Sequence, residues 1–111
     1  MGKTISEKIL SAKSDRDARA GDVVICRVDC AMGTDGSAPM AIDYFRAMGG
    51  GRVHAPERIA LALDHYAGDG PTASLHARVR EFAAEQGIAV WDVGEGIGHR
   101  LNIVRIGGQA P

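Results

Sequence analysis

The sequence is poor in aromatic residues and in cysteine, and its acidic and basic side chains nearly cancel. Aromatic residues make up 5% of the 111 residues, cysteine occurs twice, and the formal net charge is −1 at neutral pH. A chain with so little net charge has no strong field to attract nucleic acid or an anionic membrane. We therefore expect neither of these partners.

Long apolar runs are also absent. No stretch approaches the roughly 20 apolar residues that span a bilayer, and the first residues lack the apolar core of a signal peptide. With 45% hydrophobic and 24% charged residues, the composition is typical of one globular domain or a piece of one. The sequence thus predicts a cytoplasmic protein without a membrane segment.

The two cysteines, Cys26 and Cys30, lie four residues apart in a segment with the pattern of a strand. This spacing matches neither a disulfide framework nor a zinc knuckle. Because free cysteine is among the most buried residue types, we expect two buried free thiols without a metal role.

Three segments have the apolar spacing of amphipathic helices. Thr4 and Glu7 fit a capping box that begins the first helix, which ends before Gly21. The packing face of this helix is predicted to contain Ile5, Ile9 and Ala12. The second helix begins near Pro39, and its predicted apolar face contains Ala41, Tyr44, Phe45 and Met48. The third helix ends at Gly87, and its predicted apolar face contains Leu75, Val79, Phe82 and Ala83.

Three short apolar runs, at residues 22–29, 58–63 and 88–93, are predicted strands. They are too short for helices and too continuously apolar for half-exposed strands, which is typical of buried strands in a parallel sheet. The stretch from Gly33 to Gly36 is predicted to be a turn. Because strands alternate with helices, the sequence predicts an α/β fold with a layered parallel sheet of βαβ units.

Polar residues follow each predicted strand: Asp29 the first, Asp64 and His65 the second, and Asp92 with the loop to His99 the third. Ligands of open parallel sheets bind beyond the carboxyl ends of the strands. A carboxylate beside an imidazole raises its basicity and fixes its tautomer, as proton transfer requires. The alternative is that these residues only cap loops.

Other motifs give weaker signals. Gly94, Gly96 and Gly98 have G-x-G-x-G spacing rather than the dinucleotide fingerprint, so a nucleotide site has little support. His54 lies in a turn and His76 on the polar side of the third helix, and both are expected to be exposed and without a role. No nucleophile set of the Ser/His/Asp or Cys/His type can be assembled.

Three of these stretches resemble a known family. Residues 1–10, Leu63-Asp64-His65 and the stretch from Gly96 to Arg100 are similar to motifs of the aconitase superfamily, closest to the large subunits of 3-isopropylmalate dehydratase and homoaconitase. The resemblance covers residues 1–102 and includes the order and spacing of the elements. Residues 103–111 form a divergent tail.

The resemblance implies a partial aconitase-type domain of an iron–sulfur hydro-lyase. Such an enzyme isomerises a hydroxy di- or tricarboxylic acid, such as isopropylmalate or homocitrate, by dehydration and rehydration. Asp64 and His65 would then help to protonate the departing hydroxyl, and His99 would complete the shell around the substrate and the cluster. Asp35 and Ser37 would lie in a substrate-binding loop.

Departures from the family pattern limit what the resemblance implies. Thr34 and Arg100 each stand where the family commonly has glutamine. The Asp-Ser-His-Thr motif and the three cysteines that hold the [4Fe–4S] cluster in the complete protein do not occur, and Cys26 and Cys30 match neither their positions nor their spacing. We therefore expect no cluster and no metal ligands in this chain.

The expected partners are a hydroxy-acid substrate, the remainder of the large subunit and a small subunit with a swivelling domain, and the chain alone should be inactive. Two alternatives stay open. One is a non-catalytic binding or docking module that keeps the fold. The other is a small metal-dependent lyase built on Asp64, His65 and His99.

Overall fold

The computed structural model describes residues 2–98, and within them it contains three helices, a short 3-10 turn and three strands. The elements in chain order are α1 Ile5–Ser14, β1 Ala31–Thr34, α2 Ala38–Ala47, the turn Pro56–Arg58, β2 Ile59–Ala62, α3 Pro71–Gln86 and β3 Ala89–Trp91. The described strands form a parallel sheet in the order β1-β2-β3. The predicted α/β fold with βαβ units is confirmed.

The strand register brings three chain segments to the same edge of the sheet. Thr34 and Trp91 lie on either side of Ala62. Two further backbone bonds extend the pairing, since Asp35 N–H donates to Ala62 O at 2.9 Å and Leu63 N–H donates to Trp91 O at 2.8 Å. The residues that follow each strand therefore meet at one edge.

The core lies where α2 and α3 pack on the sheet. Its buried members are Ala38, Ile42, Leu61, Leu63, Val79, Phe82, Ala83 and Ile88. Phe45 of α2 meets Phe82 of α3 edge-to-face, with 5.7 Å between the ring centroids. The predicted third helix is confirmed, and Gly87 ends it in a left-handed conformation with φ 75°.

The prediction of a buried first strand at residues 22–29 is wrong. These residues are not paired in the sheet, and β1 begins at Ala31 instead. β1 also includes Gly33, so the prediction of a turn that begins at this residue is wrong. A Cβ at Gly33 would lie 3.0 Å from Leu61 Cδ2 and 3.3 Å from Ala38 Cβ. A larger residue at position 33 would therefore crowd Leu61 and Ala38.

The capping box of α1 is confirmed, but its predicted packing face is not. Glu7 N–H donates to Thr4 Oγ1 at 3.1 Å, and Thr4 N–H donates to Glu7 Oε1 at 2.9 Å. Ile5 and Ile9 are nevertheless 76% and 55% exposed, and α1 buries no residue. The helix is held to the following loop by polar contacts such as Ala18 N–H to Ser11 Oγ at 2.9 Å.

The apolar face of α2 also differs from the prediction. Ala38, Pro39 and Ile42 are buried, whereas Tyr44 and Met48 are exposed. The start of the helix lies close to β1, since a Cβ at Gly33 would be 3.3 Å from Ala38 Cβ.

The two cysteines are not joined in a disulfide, and both are only half-buried. The Cys26 thiol donates to the carbonyl oxygen of Leu10 at 3.7 Å. The prediction of buried thiols is wrong because the segment that carries Cys26 is not part of the sheet. Among residues 2–98, no helix combines the length and the apolar character needed to cross a bilayer.

Leu63 gives a direct test of this core, because its side chain is 1% exposed. Leu63→Ala should lower the free energy of unfolding by about 2–5 kcal/mol, since it removes buried apolar contacts and leaves a cavity. Met48→Ala is the matched control on an exposed side chain, and it should change the free energy by less than about 0.5 kcal/mol. Urea unfolding followed by circular dichroism measures both. Equal effects would show that Leu63 does not lie in the core.

Candidate active site

The edge where the strands end brings three ionisable side chains together. Asp35 follows β1, and Asp64 and His65 follow β2 after Leu63. One carboxylate oxygen or imidazole nitrogen of each lies within 4.8 Å of the others. Among the described residues, this cluster contains three of the sequence-predicted site residues.

Asp64 and His65 form a carboxylate–imidazole pair. His65 Nδ1 lies 2.6 Å from Asp64 Oδ1, and the Asp64 side chain is 6% exposed whereas that of His65 is 52% exposed. When Nδ1 carries the proton and donates to Asp64, Nε2 is left to exchange a proton with a ligand. The pair is thus anchored on its carboxylate side and open on its imidazole side.

Opposing effects act on the Asp64 carboxyl. Burial is the largest of them, and it raises the pKa. The hydrogen bond from Gly98 N–H, the hydrogen bond from His65 and the charge of that imidazole together outweigh burial, so the pKa of Asp64 is lowered. Asp64 is therefore held as a carboxylate at neutral pH and can stabilise a protonated imidazole beside it.

Gly98 contacts the second oxygen of Asp64. Its N–H donates to Asp64 Oδ2 at 2.7 Å. A Cβ at this position would collide with the Cβ of Ala62 and would lie 3.1 Å from Asp64 Oδ2. The last glycine of the G-x-G-x-G stretch thus allows the backbone to approach the end of β2, which accounts for glycine there without a nucleotide.

Asp35 and His76 form a fully buried pair, with both side chains 0% exposed and His76 Nε2 2.9 Å from Asp35 Oδ2. The prediction that His76 is exposed is wrong. His76 precedes Val79 by three residues and Ala83 by seven, so helical spacing places it on the core face of α3. That spacing was the signal in the sequence that could have identified it.

The Asp35 carboxylate also holds the chain segment that carries His65. The His65 N–H lies 3.2 and 3.3 Å from the two carboxylate oxygens, and Tyr66 N–H donates to Oδ2 at 2.9 Å. His65 Nδ1 lies 3.5 Å from Asp35 Oδ1. Asp35 therefore faces both the backbone and the ring of His65.

Ser37 lies in the same loop as Asp35 and is exposed. Its Oγ accepts a hydrogen bond from Thr34 N–H at 3.0 Å and lies 3.2 Å from the Thr34 hydroxyl. Substrate binding by Asp35 and Ser37 stays a prediction.

The other strand-end candidates do not join the cluster. Asp29 pairs with Lys13 at 2.6 Å, and Arg80 donates to both oxygens of Asp92 at 2.7 and 2.9 Å. The hydrogen bonds from Arg80 lower the pKa of Asp92 to about 2. These two carboxylates are thus engaged in ion pairs. His99 lies outside the described residues.

The thiols of this chain do not fit a [4Fe–4S] cluster. Such clusters are held by several thiolates from separated positions, whereas the sequence contains two cysteines only four residues apart. Asp35, Asp64 and His65 each offer one potential ligand atom to a metal ion, and in this structure Asp64 and His65 are hydrogen-bonded to each other.

No protein-family model matches the sequence, but several curated proteins are clearly similar. The large subunit 1 of 3-isopropylmalate dehydratase from Thermotoga maritima is 42% identical over 104 residues, which cover 91% of this chain and 24% of that protein. The large subunit from Methanoregula boonei is 42% identical over 113 residues, covering 100% of this chain and 27% of that protein. The probable large subunit from Methanothermobacter thermautotrophicus is 40% identical, covering 91% and 25%.

Over its own length, the chain is thus similar to large subunits of 3-isopropylmalate dehydratase, which are aconitase-family proteins. The chain spans about a quarter of the length of the curated relatives it matches.

The lowered pKa of Asp64 can be tested in this chain. By carboxyl-carbon NMR, Asp64 should titrate below the ordinary value of about 3.9, because its bonds to Gly98 and His65 favour the charged form. A folded-state pKa below the unfolded value stabilises the fold at higher pH, and this contribution is lost as the pH falls through the folded-state pKa.

His65→Leu should raise the titration midpoint of Asp64, because it removes one of the groups that favour the carboxylate. His54→Leu is the control, since His54 is exposed and lies in the loop before β2 rather than beside Asp64. A wild-type midpoint at or above about 3.9 would contradict the pairing.

Proposed function

We propose that this chain is the Asp-His segment of a hydro-lyase that acts on a hydroxy di- or tricarboxylic acid of the isopropylmalate or homocitrate type. The observation that carries the proposal is the Asp64–His65 pair at the strand edge, with a 2.6 Å contact and a half-exposed imidazole. Its support is the similarity to relatives named 3-isopropylmalate dehydratase large subunit.

The proposed chemistry follows from the two faces of the pair. His65 donates its Nε2 proton to the substrate hydroxyl as the carbon–oxygen bond breaks, so that the hydroxyl leaves as water. The Asp64 carboxylate stabilises the protonated imidazole before the transfer and keeps Nδ1 protonated afterwards. A base from another part of the enzyme takes the proton from the adjacent carbon as the double bond forms.

The remaining parts of the enzyme belong to the same proposal. These are the rest of a large subunit with a [4Fe–4S] cluster, a small subunit with a swivelling domain, and His99 in the shell around the substrate. Because the chain spans about a quarter of its relatives' length, we propose that it is inactive alone. We further propose a cytoplasmic location and a place in leucine biosynthesis.

Exposed apolar side chains support the proposal that the chain has a large protein partner. Val23, Ile25 and Val28 are 95%, 93% and 68% exposed, and they lie in the segment whose sequence is typical of a buried strand. Monomers rarely leave large contiguous apolar patches uncovered. We propose that the remainder of the large subunit covers this segment.

The activity is tested in a chimera in which this chain replaces the matching quarter of the Thermotoga maritima large subunit, assembled with that enzyme's small subunit. The chimera should interconvert isopropylmalate isomers. His65→Asn should lower kcat/KM by about 10²- to 10⁴-fold, the usual contribution of a positioned general acid. His54→Asn, on an exposed histidine, should leave the activity unchanged.

Two results would contradict the proposed role of His65. One is a folded wild-type chimera that is inactive although its cluster is loaded. The other is an active chimera whose His65→Asn variant keeps its kcat/KM. Substrate turnover by the 111-residue chain alone, dependent on an added divalent metal ion, would favour the small metal-dependent lyase.

The apolar segment makes a prediction about the chain on its own. Its sedimentation coefficient should rise with concentration, because uncovered apolar side chains associate. The double variant Val23→Asp and Ile25→Asp should weaken this association. Met48→Asp is the control, because Met48 is 80% exposed but lies at the end of α2.

A wild-type monomer at all concentrations, with a sharp unfolding transition and a stability of at least about 5 kcal/mol, would contradict the proposed surface. That result would show a self-sufficient domain and would favour a non-catalytic binding or docking module.

A further inference from the structure

The cluster beneath the Asp64–His65 pair contains a second carboxylate and a second histidine. Both Asp35 and His76 have fully buried side chains, 2.9 Å apart at the nearest atoms. Among residues 2–98, Nδ1 of His76 has no hydrogen-bond partner, so its Nε2 contact with Asp35 is what orients the ring within that part of the chain. A neutral His76 must then carry its proton on Nε2 to donate to Asp35.

His76 is also confined from the opposite side. A Cβ at Gly68 would lie 2.7 Å from His76 Nδ1, and Gly68 has the positive φ of 83° that favours glycine. The imidazole therefore fits closely between the Gly68 backbone and the Asp35 carboxylate. Because the ring of His76 has little room to move, its bond to Asp35 holds that carboxylate in place.

The Asp35 carboxylate faces His65. One carboxylate oxygen lies 3.5 Å from His65 Nδ1, and the same carboxylate accepts the backbone N–H bonds of His65 and Tyr66. His65 Nδ1 thus faces two carboxylates, with Asp64 at 2.6 Å as the nearer. Negative charge on this side favours the tautomer that carries the proton on Nδ1.

We propose that Asp35 and His76 are positioning residues for His65. His76 holds the buried carboxylate of Asp35 in place, and Asp35 together with Asp64 keeps the His65 proton on Nδ1 so that Nε2 is presented at the surface. The link to catalysis rests on the proposed function, but the tautomer is a property of this chain alone. It can be measured without substrate, cofactor or partner.

The test is nitrogen NMR of the ring nitrogens of His65 in the ¹⁵N-labelled 111-residue chain, at a pH where the imidazole is neutral. The wild type should be mainly the Nδ1–H tautomer. His76→Leu removes the donor to Asp35 and should lower the ratio of Nδ1–H to Nε2–H about three- to tenfold, the effect expected for one net hydrogen bond. His76→Gln restores an N–H donor and should recover most of the ratio.

Two further variants complete the design. Asp35→Asn, which keeps the size of the side chain, should lower the ratio like His76→Leu, and it serves if His76→Leu does not fold. His54→Gln is the control on an exposed histidine and should leave the ratio unchanged. Dispersed amide signals from Ala60 and Leu61 in β2 verify the fold of each variant.

A wild-type spectrum dominated by the Nε2–H tautomer would overturn the proposal without any variant. So would a folded His76→Leu or Asp35→Asn variant with the wild-type ratio, because a purely structural role changes stability but leaves the tautomer alone. The proposed hydro-lyase activity fails separately, through the chimera assay of His65→Asn.

Discussion

The structure depends on the burial of one carboxylate, that of Asp35, at the point where β1 ends. An ionised carboxylate removed from water is costly unless its oxygens are fully hydrogen-bonded. Here the donors come from the segment after β2, through His65 and Tyr66, and from α3, through His76. These bonds join the end of β1 to the segment after β2 and to α3. The need to hydrogen-bond one buried carboxylate therefore holds these three parts of the site together.

Asp64 and His65, the other carboxylate and imidazole at this edge, have different environments. Asp64 is nearly buried and bonded to Gly98, whereas the ring of His65 is half-exposed. A rigid, charged acceptor on one side and an accessible nitrogen on the other is the arrangement that a proton-transferring histidine needs. The pair follows β2 after Leu63, and the parallel register brings Asp35, which follows β1, and Gly98, which follows β3, next to it.

The elements that the sequence predicts correctly are those that a local pattern of apolar residues determines. The run at Ile59–Ala62 and the helix at Pro71–Gln86 have clear spacing and are confirmed, and the Asp64–His65 pair follows from adjacency at a strand end. His76 is a polar residue with the helical spacing of the core residue Val79, and its burial contradicts the prediction of an exposed side chain. Its helical spacing from Val79 indicates a place on the core face, but its partner Asp35 lies 41 residues away in the chain, and no local pattern identifies that partner.

The wrong first strand has a different physical origin. Along residues 23–26, exposure alternates, with Val23 and Ile25 exposed and Val24 and Cys26 half-buried. This period of two is the pattern of a strand with one covered face, and no backbone hydrogen bond joins these four residues to another described residue. The local pattern therefore indicates a strand with one covered face but cannot specify which other strand would pair with it. Since the chain spans about a quarter of its relatives' length, the apolar residues of this segment are best explained by packing that the larger polypeptide would supply. Some apolar patterns in the sequence are thus explained by packing within the described residues. We propose that the pattern of this segment is explained by packing against the remainder of the large subunit.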